Sequence, residues 1–271
     1  LSTVLQPVAA SRSFGLSLRQ TRAMAWRSTK ETFRQPALVG PSMIFPIFFA
    51  ALGASSFSRA TSLPGFPKVE SFLQFSLAAT VVQGVLFGSV TGAAALATDI
   101  QNGFFDRLLL APTSRTGILI GRLAGSAIFG AVQAAAFIAV LWPFGATIKS
   151  SFGGALVMVL SGGIVALAIG SLMSAVAIKT ASAEAVQGTF PLLFILLFFS
   201  SAFFPRETMS GLYRNIADVN PISYLVEGMR ELVLVGFSTS AMAKAIFIPT
   251  AICVVAILIA LRQLRVRLAS R

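Results

Sequence analysis

Six long stretches of the chain carry no charged residue: 35–58, 71–98, 123–148, 150–178, 185–205 and 245–261. A charge at the centre of a bilayer costs about 3 kcal/mol on insertion scales, so uninterrupted runs of this kind mark membrane spans. A crossing helix needs about 20 apolar residues, with about 17 as the lower limit, and the sixth run only just qualifies. Lipid offers no partner to free backbone groups, and the runs lack the alternation of barrel strands. The fold class expected is therefore an all-α integral membrane protein with six transmembrane helices. Composition agrees. Hydrophobic residues make up 56% and charged residues 11%, against about a quarter charged in soluble domains.

The formal net charge of +12 would suit a nucleic-acid partner in a soluble protein. Here the basic residues flank the apolar runs, as anchors to anionic lipid do, and no nucleic acid is expected. There is no histidine and one cysteine, Cys253. That excludes histidine catalysis, the commoner zinc sites and an intrachain disulfide framework. The first residue is Leu1 rather than methionine, so the expectation is that the chain lacks its true start or is renumbered. No signal peptide is read at the N-terminus, because the first apolar run begins near Ala37, after six basic residues, and is too long for a signal core.

Orientation follows from the loops. With the N-terminus inside the cell, that side receives Arg12, Arg19, Arg22, Arg27, Lys30 and Arg34, then Arg107, Arg115, Arg122 and Lys179, and last Arg262, Arg265, Arg267 and Arg271. The other side keeps Arg59, Lys68, Lys149, Arg206, Arg214, Arg230 and Lys244. Fourteen basic residues against seven place both termini in the cytoplasm. The expected organisation is a cytoplasmic N-terminal segment (1–36), a six-span domain (37–261) and a basic tail (262–271). Within the first segment, residues 14–34 read either as a basic interfacial helix, with Arg19, Arg22, Trp26, Lys30 and Phe33 mixing cations and aromatic anchors, or as a plain flanking charge run.

Glycines recur at four-residue spacing in Gly84, Gly88 and Gly92 and again in Gly117, Gly121 and Gly125. Such ridges let helices approach closely, within one subunit or between two. Pro41, Pro46 and Pro191 are candidate kink points. Asp99, Arg122, Lys179 and Glu184 fall near the cytoplasmic ends of spans, where long side chains are expected to reach water or headgroups. With no acids at mid-membrane for an ion relay, the energy for any transport is expected to come from elsewhere.

Two hydrophilic segments carry a recognisable pattern. The first, between spans two and three, reads Asp99-Ile-Gln-Asn-Gly103-Phe-Phe-Asp106-Arg107-Leu-Leu-Leu-Ala-Pro112-Thr-Ser-Arg115. The second follows span five: Phe203-Phe-Pro205-Arg206-Glu-Thr-Met209, continuing to Asn220-Pro221-Ile-Ser-Tyr224-Leu-Val-Glu227-Gly-Met-Arg230. With the six spans, they resemble the type-2 permease family of ABC transporters, in particular the bacterial drug and antibiotic exporters of the daunorubicin-resistance kind. Relatives often carry an acidic-basic-acidic run before the glycine, where this chain has Asp99-Ile100-Gln101-Asn102.

The resemblance implies a permease subunit of an ATP-driven exporter that moves an amphipathic drug, antibiotic or lipid-like cargo. It also implies a bacterial plasma-membrane location, two copies of a separate ABC-type ATPase, a second permease copy of the same or a related chain, and surrounding membrane lipids. ATP and Mg are expected on the ATPase, with no cofactor, metal or catalytic residue on this chain. In the family, the first segment resembles a cytoplasmic coupling helix, which assigns Asp99, Gly103, Phe104, Asp106, Arg107, Pro112 and Arg115 to the ATPase contact. The second resembles a hairpin of short re-entrant helices at the exit, which assigns Pro205, Asn220, Pro221, Tyr224, Glu227 and Arg230 to an outer gate.

The residues by themselves read compatibly. Residues 103–111 suit a short helix with Phe104, Leu108 and Ala111 on one side and Asp106 and Arg107 elsewhere, ended by Pro112. Asn220 can cap and Pro221 can open a helix that buries Ile222, Leu225, Val226, Met229, Leu232 and Val233 and turns Ser223, Glu227, Arg230 and Glu231 to the other face. Phe198, Phe199, Phe203 and Phe204 form a candidate cargo path or a lipid-facing cluster. No phosphate loop ending in Gly-Lys-Ser or Gly-Lys-Thr occurs. Leu160-Ser161-Gly162-Gly163 spells the core of an ABC ATPase signature but lies inside a span, and is read as coincidence. The competing functions are an ATP-independent channel or scramblase and a membrane-embedded enzyme acting on lipid.

Overall fold

The structure, a computed structural model, describes residues 14–62, 64–110 and 115–269. Among these the regular elements are all helical: α1 (Phe14–Phe33), α2 (Pro36–Ser56), α3 (Phe72–Gln101), α4 (Phe104–Leu110), α5 (Arg115–Leu141), α6 (Ser151–Thr180), α7 (Ala183–Gln187), α8 (Phe190–Phe198), α9 (Gly211–Val219), α10 (Pro221–Leu234) and α11 (Thr239–Ala269). Among the described residues, five helices are long and apolar enough to cross a membrane, in α2, α3, α5, α6 and α11.

The predicted fifth span is carried by two short helices, with the break at Gly188 and Thr189 and Pro191 in the first turn of α8. Proline has no N–H to give to a preceding turn, so it opens a helix more readily than it continues one. At 1.5 Å per residue, α8 extends only about 14 Å, roughly half of the hydrocarbon thickness. By contrast, Pro41 and Pro46 lie inside α2 and do not interrupt it. The sixth span is longer than its uncharged run, because α11 continues through Arg262 and Arg265 to Ala269. The basic residues expected as a tail are thus helical up to Ala269, and the Arg267 guanidinium donates to the Ile178 carbonyl at the end of α6 (2.9 Å).

α3 is the central rod. Of its most apolar 18-residue window, 94% is buried, against 22% for α2 and 28% for α11. A helix apolar on every side belongs inside a bundle, whereas α2 and α11 expose Phe45, Phe48, Phe247 and Leu258 as lipid-facing helices do. Glycines set the close approaches. A Cβ at Gly84 would lie 2.1 Å from the Phe137 ring, and one at Gly130 would lie 2.2 Å from Ala166 Cβ. At Gly121 and Gly125 the crowding atoms are Met24 and Ser28 of α1, so these glycines of the second ridge seat the N-terminal helix on α5 within one subunit. The ATPase-like tetrapeptide is also a packing feature: Ser161 donates to the Ala245 carbonyl (2.6 Å), and Gly162 and Gly163 lie against α5.

α1 packs on α5 through a face that buries Thr29 and Thr32. Arg19, Arg22, Trp26, Lys30 and Phe33 are all exposed, together on the opposite face. That face thus mixes cations with two aromatic side chains.

Candidate functional site: a tethered loop helix and a pinned hairpin

At one end of the bundle, α3 ends at Asn102, Gly103 adopts a left-handed φ of +68°, and α4 leaves at once. Only glycine takes that conformation without a steric cost, so Gly103 fixes the direction of α4. Phe105 anchors α4 in the core at 0% exposure, and Leu108 packs beside it. Phe104 lies under the Arg27 guanidinium, which is 3.9 Å from its ring centre. Arg107 and Leu110 project outward, and Asp106 is half-buried. Pro112 lies outside the described residues, and Arg115 opens α5.

Beneath α4 lies a charged cluster that joins three helices. Asp99 of α3 forms an ion pair with Arg122 of α5 and lies 3.8 Å from Arg27 of α1. Arg122 also reaches Glu31 of α1 at 3.8 Å. Arg122 is 4% exposed and Asp99 8%. These two were expected to reach outward and do not, because each is the other's counter-charge and α1 covers both. Lys179 and Glu184 do lie exposed. Arg27 and Glu31, one turn apart on α1, were not singled out from sequence. Their spacing puts them on one face, but only the packing of α1 identifies what that face meets.

Burial pushes the Glu31 carboxyl above its ordinary pKa, against the opposing pull of Arg122. A carboxyl with a raised folded pKa binds its proton more tightly when folded, so its ionised form weakens the fold above that pKa and the deficit disappears as pH falls. Glu31→Gln is therefore expected to be at least as stable as the parent at neutral pH, and its advantage should shrink on acidification. Thermal melts of the detergent-solubilised protein across that pH range would check it; a large loss at neutral pH contradicts it.

At the other end, the chain leaves α8 through an irregular turn and returns as α9 and α10. Asn220 caps α10 by accepting from the Ile222 N–H (2.9 Å), while its amide donates to the Leu196 and Phe199 carbonyls (2.6 and 2.8 Å). Those are the orphan carbonyls at the end of α8. Pro221 opens α10 as expected, and the six apolar residues assigned to its inner face are all buried.

Ser223 and Arg230, assigned to the outer face, are also buried. They hold the turn: Ser223 accepts two hydrogen bonds from Ser201, its hydroxyl from the Ser201 N–H and its carbonyl from the Ser201 hydroxyl, and Arg230 donates to the Ser201, Ala202 and Phe75 carbonyls at 2.8, 2.8 and 3.3 Å. Its guanidinium lies 3.8 Å from the centre of the Phe75 ring. Nearer the surface, Arg206 pairs with both oxygens of Glu227 and with Asp218 (3.3 Å), over the Tyr224 ring at 4.5 Å. Hydrogen bonding to Glu227 holds the Arg206 pKa still higher than usual. The Tyr224 hydroxyl donates to the Asp218 carbonyl (2.6 Å), and the Pro205 carbonyl accepts from Thr208.

The four phenylalanines separate. The Phe198 and Phe203 rings meet at 4.7 Å, tilted to one another, and both touch Phe49 of α2, whereas Phe199 faces Tyr213 and Phe204 faces Phe57. Phe190, Phe194 and Phe87 extend the inner cluster towards the α7–α8 break. The four-residue spacing of Phe190, Phe194 and Phe198 was available in the sequence; the contributions of Phe49 and Phe87 were not. Beside the break, a cavity of about 440 Å³ opens between α2, α3 and α8, lined by Pro41, Phe45, Phe87, Thr91, Phe190 and Pro191 among others.

Residues 19–234, from α1 to the end of α10, match the family model described as ABC-2 type transporter. The chain is 31% identical over 195 residues to the daunorubicin resistance ABC transporter permease protein DrrB1 of Streptomyces coeruleorubidus, covering 70% of this chain and 65% of that one. It is 26% identical over 174 residues to the probable doxorubicin resistance ABC transporter permease protein DrrC of Mycobacterium tuberculosis, with 63% of each chain covered. A putative transport permease, ycf38 of Porphyra purpurea, is 25% identical over 79% of this chain and 73% of its own. The chain thus spans a little under two thirds of the length of the two drug-resistance relatives. Because the family match takes in both the α4 turn and the pinned hairpin, with the apolar helices between them, this multi-pass membrane protein belongs to the ABC-2 type transporter family.

Proposed function

We propose that the chain is the permease subunit of an ATP-driven exporter, working as a pair of permease chains with two ABC-type ATPase subunits that bind ATP and Mg. The termini and α4 face the cytoplasm of a bacterial cell, and the α9–α10 hairpin closes the exit at the outer side. The observation that carries this reading is the tether on α4. Phe105 fixes the helix to the core, and Arg27 links it through Asp99 and Arg122 to α3 and α5. A displacement of α4 by an ATPase would move α1, α3 and α5 together, because a packed core with a buried ion pair repacks as a unit. Arg107 and Leu110, exposed on α4, supply the docking surface.

The inner phenylalanine cluster and the adjoining cavity support a planar or amphipathic cargo, as do the drug-resistance names of the relatives. The test is drug-stimulated ATP hydrolysis by the purified complex. Replacing Asp106 and Arg107 with alanine is expected to lower it about tenfold, an amount that loss of about 1.4 kcal/mol of coupling would produce. Full retention overturns the coupling role of α4. Cargo flux through the permease alone, without nucleotide, would favour a channel instead.

A further inference from the structure

Five of the seven basic residues assigned to the outer side, Lys68, Lys149, Arg206, Arg230 and Lys244, line a single cavity of about 640 Å³. They come from positions as far apart in the chain as 68 and 244, so the fold alone brings them together. Membrane proteins hold basic residues back from the translocated side, which makes their gathering there a feature that topology does not explain. Three acids, Glu207, Glu227 and Glu231, share the wall. Two are spent on partners: Glu227 on Arg206, and Glu231 on Lys244 (2.9 Å). Lys68, Lys149 and Arg230 make no ion pair among the described residues and share the cavity with Glu207.

Arg230 is fixed in the wall, and the main chain that carries the two exposed lysines is held beside it. Arg230 is 6% exposed, and its donors go to neutral main-chain carbonyls, with Glu227 and Glu207 the acids that act on its charge. Lys149 is tied to α10 by its N–H donating to the Val233 carbonyl (3.0 Å), with Ser150 bonding to the Leu232 carbonyl next to it (2.7 Å). Lys68 follows Phe66, whose ring packs 4.7 Å from that of Phe75. The wall therefore carries five cations against three acids, and a net positive concave wall favours an anion.

The surroundings narrow the class. Val235 and Leu234 line the cavity, and Val235 and Phe237 are 70% and 56% exposed. Phe144, Phe152 and Trp142 stand exposed around the same end of the bundle, at 71%, 83% and 66%, as the aromatic belt of a membrane interface does. A soluble anion would use the cations and leave this apolar rim bare. An anionic phospholipid would use both.

We infer that this cavity holds the phosphodiester headgroup of an anionic lipid of the outer leaflet, with its acyl chains over Val235 and Phe237. The inference rests on the orientation proposed above. Its test needs neither ATPase nor cargo, so failure of the export reading leaves it standing. The full chain is reconstituted into vesicles of equimolar phosphatidylglycerol and phosphatidylcholine, re-extracted in mild detergent, and the retained lipid is identified by mass spectrometry.

The expected result is enrichment of phosphatidylglycerol by about tenfold, consistent with two lysines near an anionic headgroup. K68A/K149A should bring the ratio close to that of the vesicles, and K68R/K149R should keep the enrichment. A melting curve shows that each variant is folded. Equal enrichment in K68A/K149A overturns the inference, as does no enrichment in the parent. Displacement of the lipid by millimolar glycerol phosphate would overturn it too, since that assigns the cavity to a soluble anion.

Discussion

Arg122→Ala is expected to destabilise the protein by about 3–5 kcal/mol, the usual cost of removing one partner from a buried ion pair. Asp99 and Glu31 would lose the cation that both face; Asp99, covered by α1, would keep only Arg27 at 3.8 Å, whereas Glu31 is partly exposed, so most of the cost falls on Asp99. The melting temperature of the purified protein should fall by several degrees, and folded yield should fall with it. The control is a double change, Arg122→Met with Asp99→Leu. Replacing both charges by apolar groups of similar volume is often neutral, so the double variant should recover most of the loss. It should not recover coupling, because the link from Arg27 through Asp99 would be gone. A double variant as unstable as Arg122→Ala would mean that the cluster serves α1 packing by shape alone.

The second large effect is expected at Arg230. Arg230→Met keeps the apolar stem and removes three charge-assisted hydrogen bonds to the Phe75, Ser201 and Ala202 carbonyls. Each is worth about 1.5–3 kcal/mol, and the carbonyls would stay buried without a donor. A net loss of at least about 3 kcal/mol follows. Hydrogen exchange should resolve it as faster exchange in residues 199–206 before the bundle itself opens. Arg206→Ala sets the contrast. Its partners Glu227 and Asp218 are partly solvated, so its loss is expected to cost about 1 kcal/mol or less. Similar losses at the two positions would show that burial does not separate their roles.

Span positions were legible because the cost of a charge in lipid is large and local. No distant residue can offset it, and five of the six uncharged runs became long apolar helices. The capped start of α10 was legible for the same kind of reason, since Asn220 and Pro221 act within one turn. The fifth run shows where such reading stops. Its composition is that of a span, but Gly188, Thr189 and Pro191 divide it, and the orphan carbonyls of α8 find a donor in Asn220, more than twenty residues further on. Within 103–111, the short helix expected is found over Phe104–Leu110, and the residue that anchors it is Phe105. In a helix this short, a change in how its first residue leaves Gly103 rotates the buried face.

What the sequence alone determined is the membrane, the helices, and through the two hydrophilic motifs the kind of permease to which they belong. What only the tertiary structure decided is which charges meet. Asp99 and Arg122 looked like side chains bound for water, and Arg230 looked like part of a solvated face; α1 and the 199–205 turn cover them instead. Insertion energies depend on each residue's own transfer from water, so they can be read position by position. A charge's final partner depends on helices distant in the chain; the glycine ridges that let them approach are visible in the order of residues, but which helix each ridge meets is not.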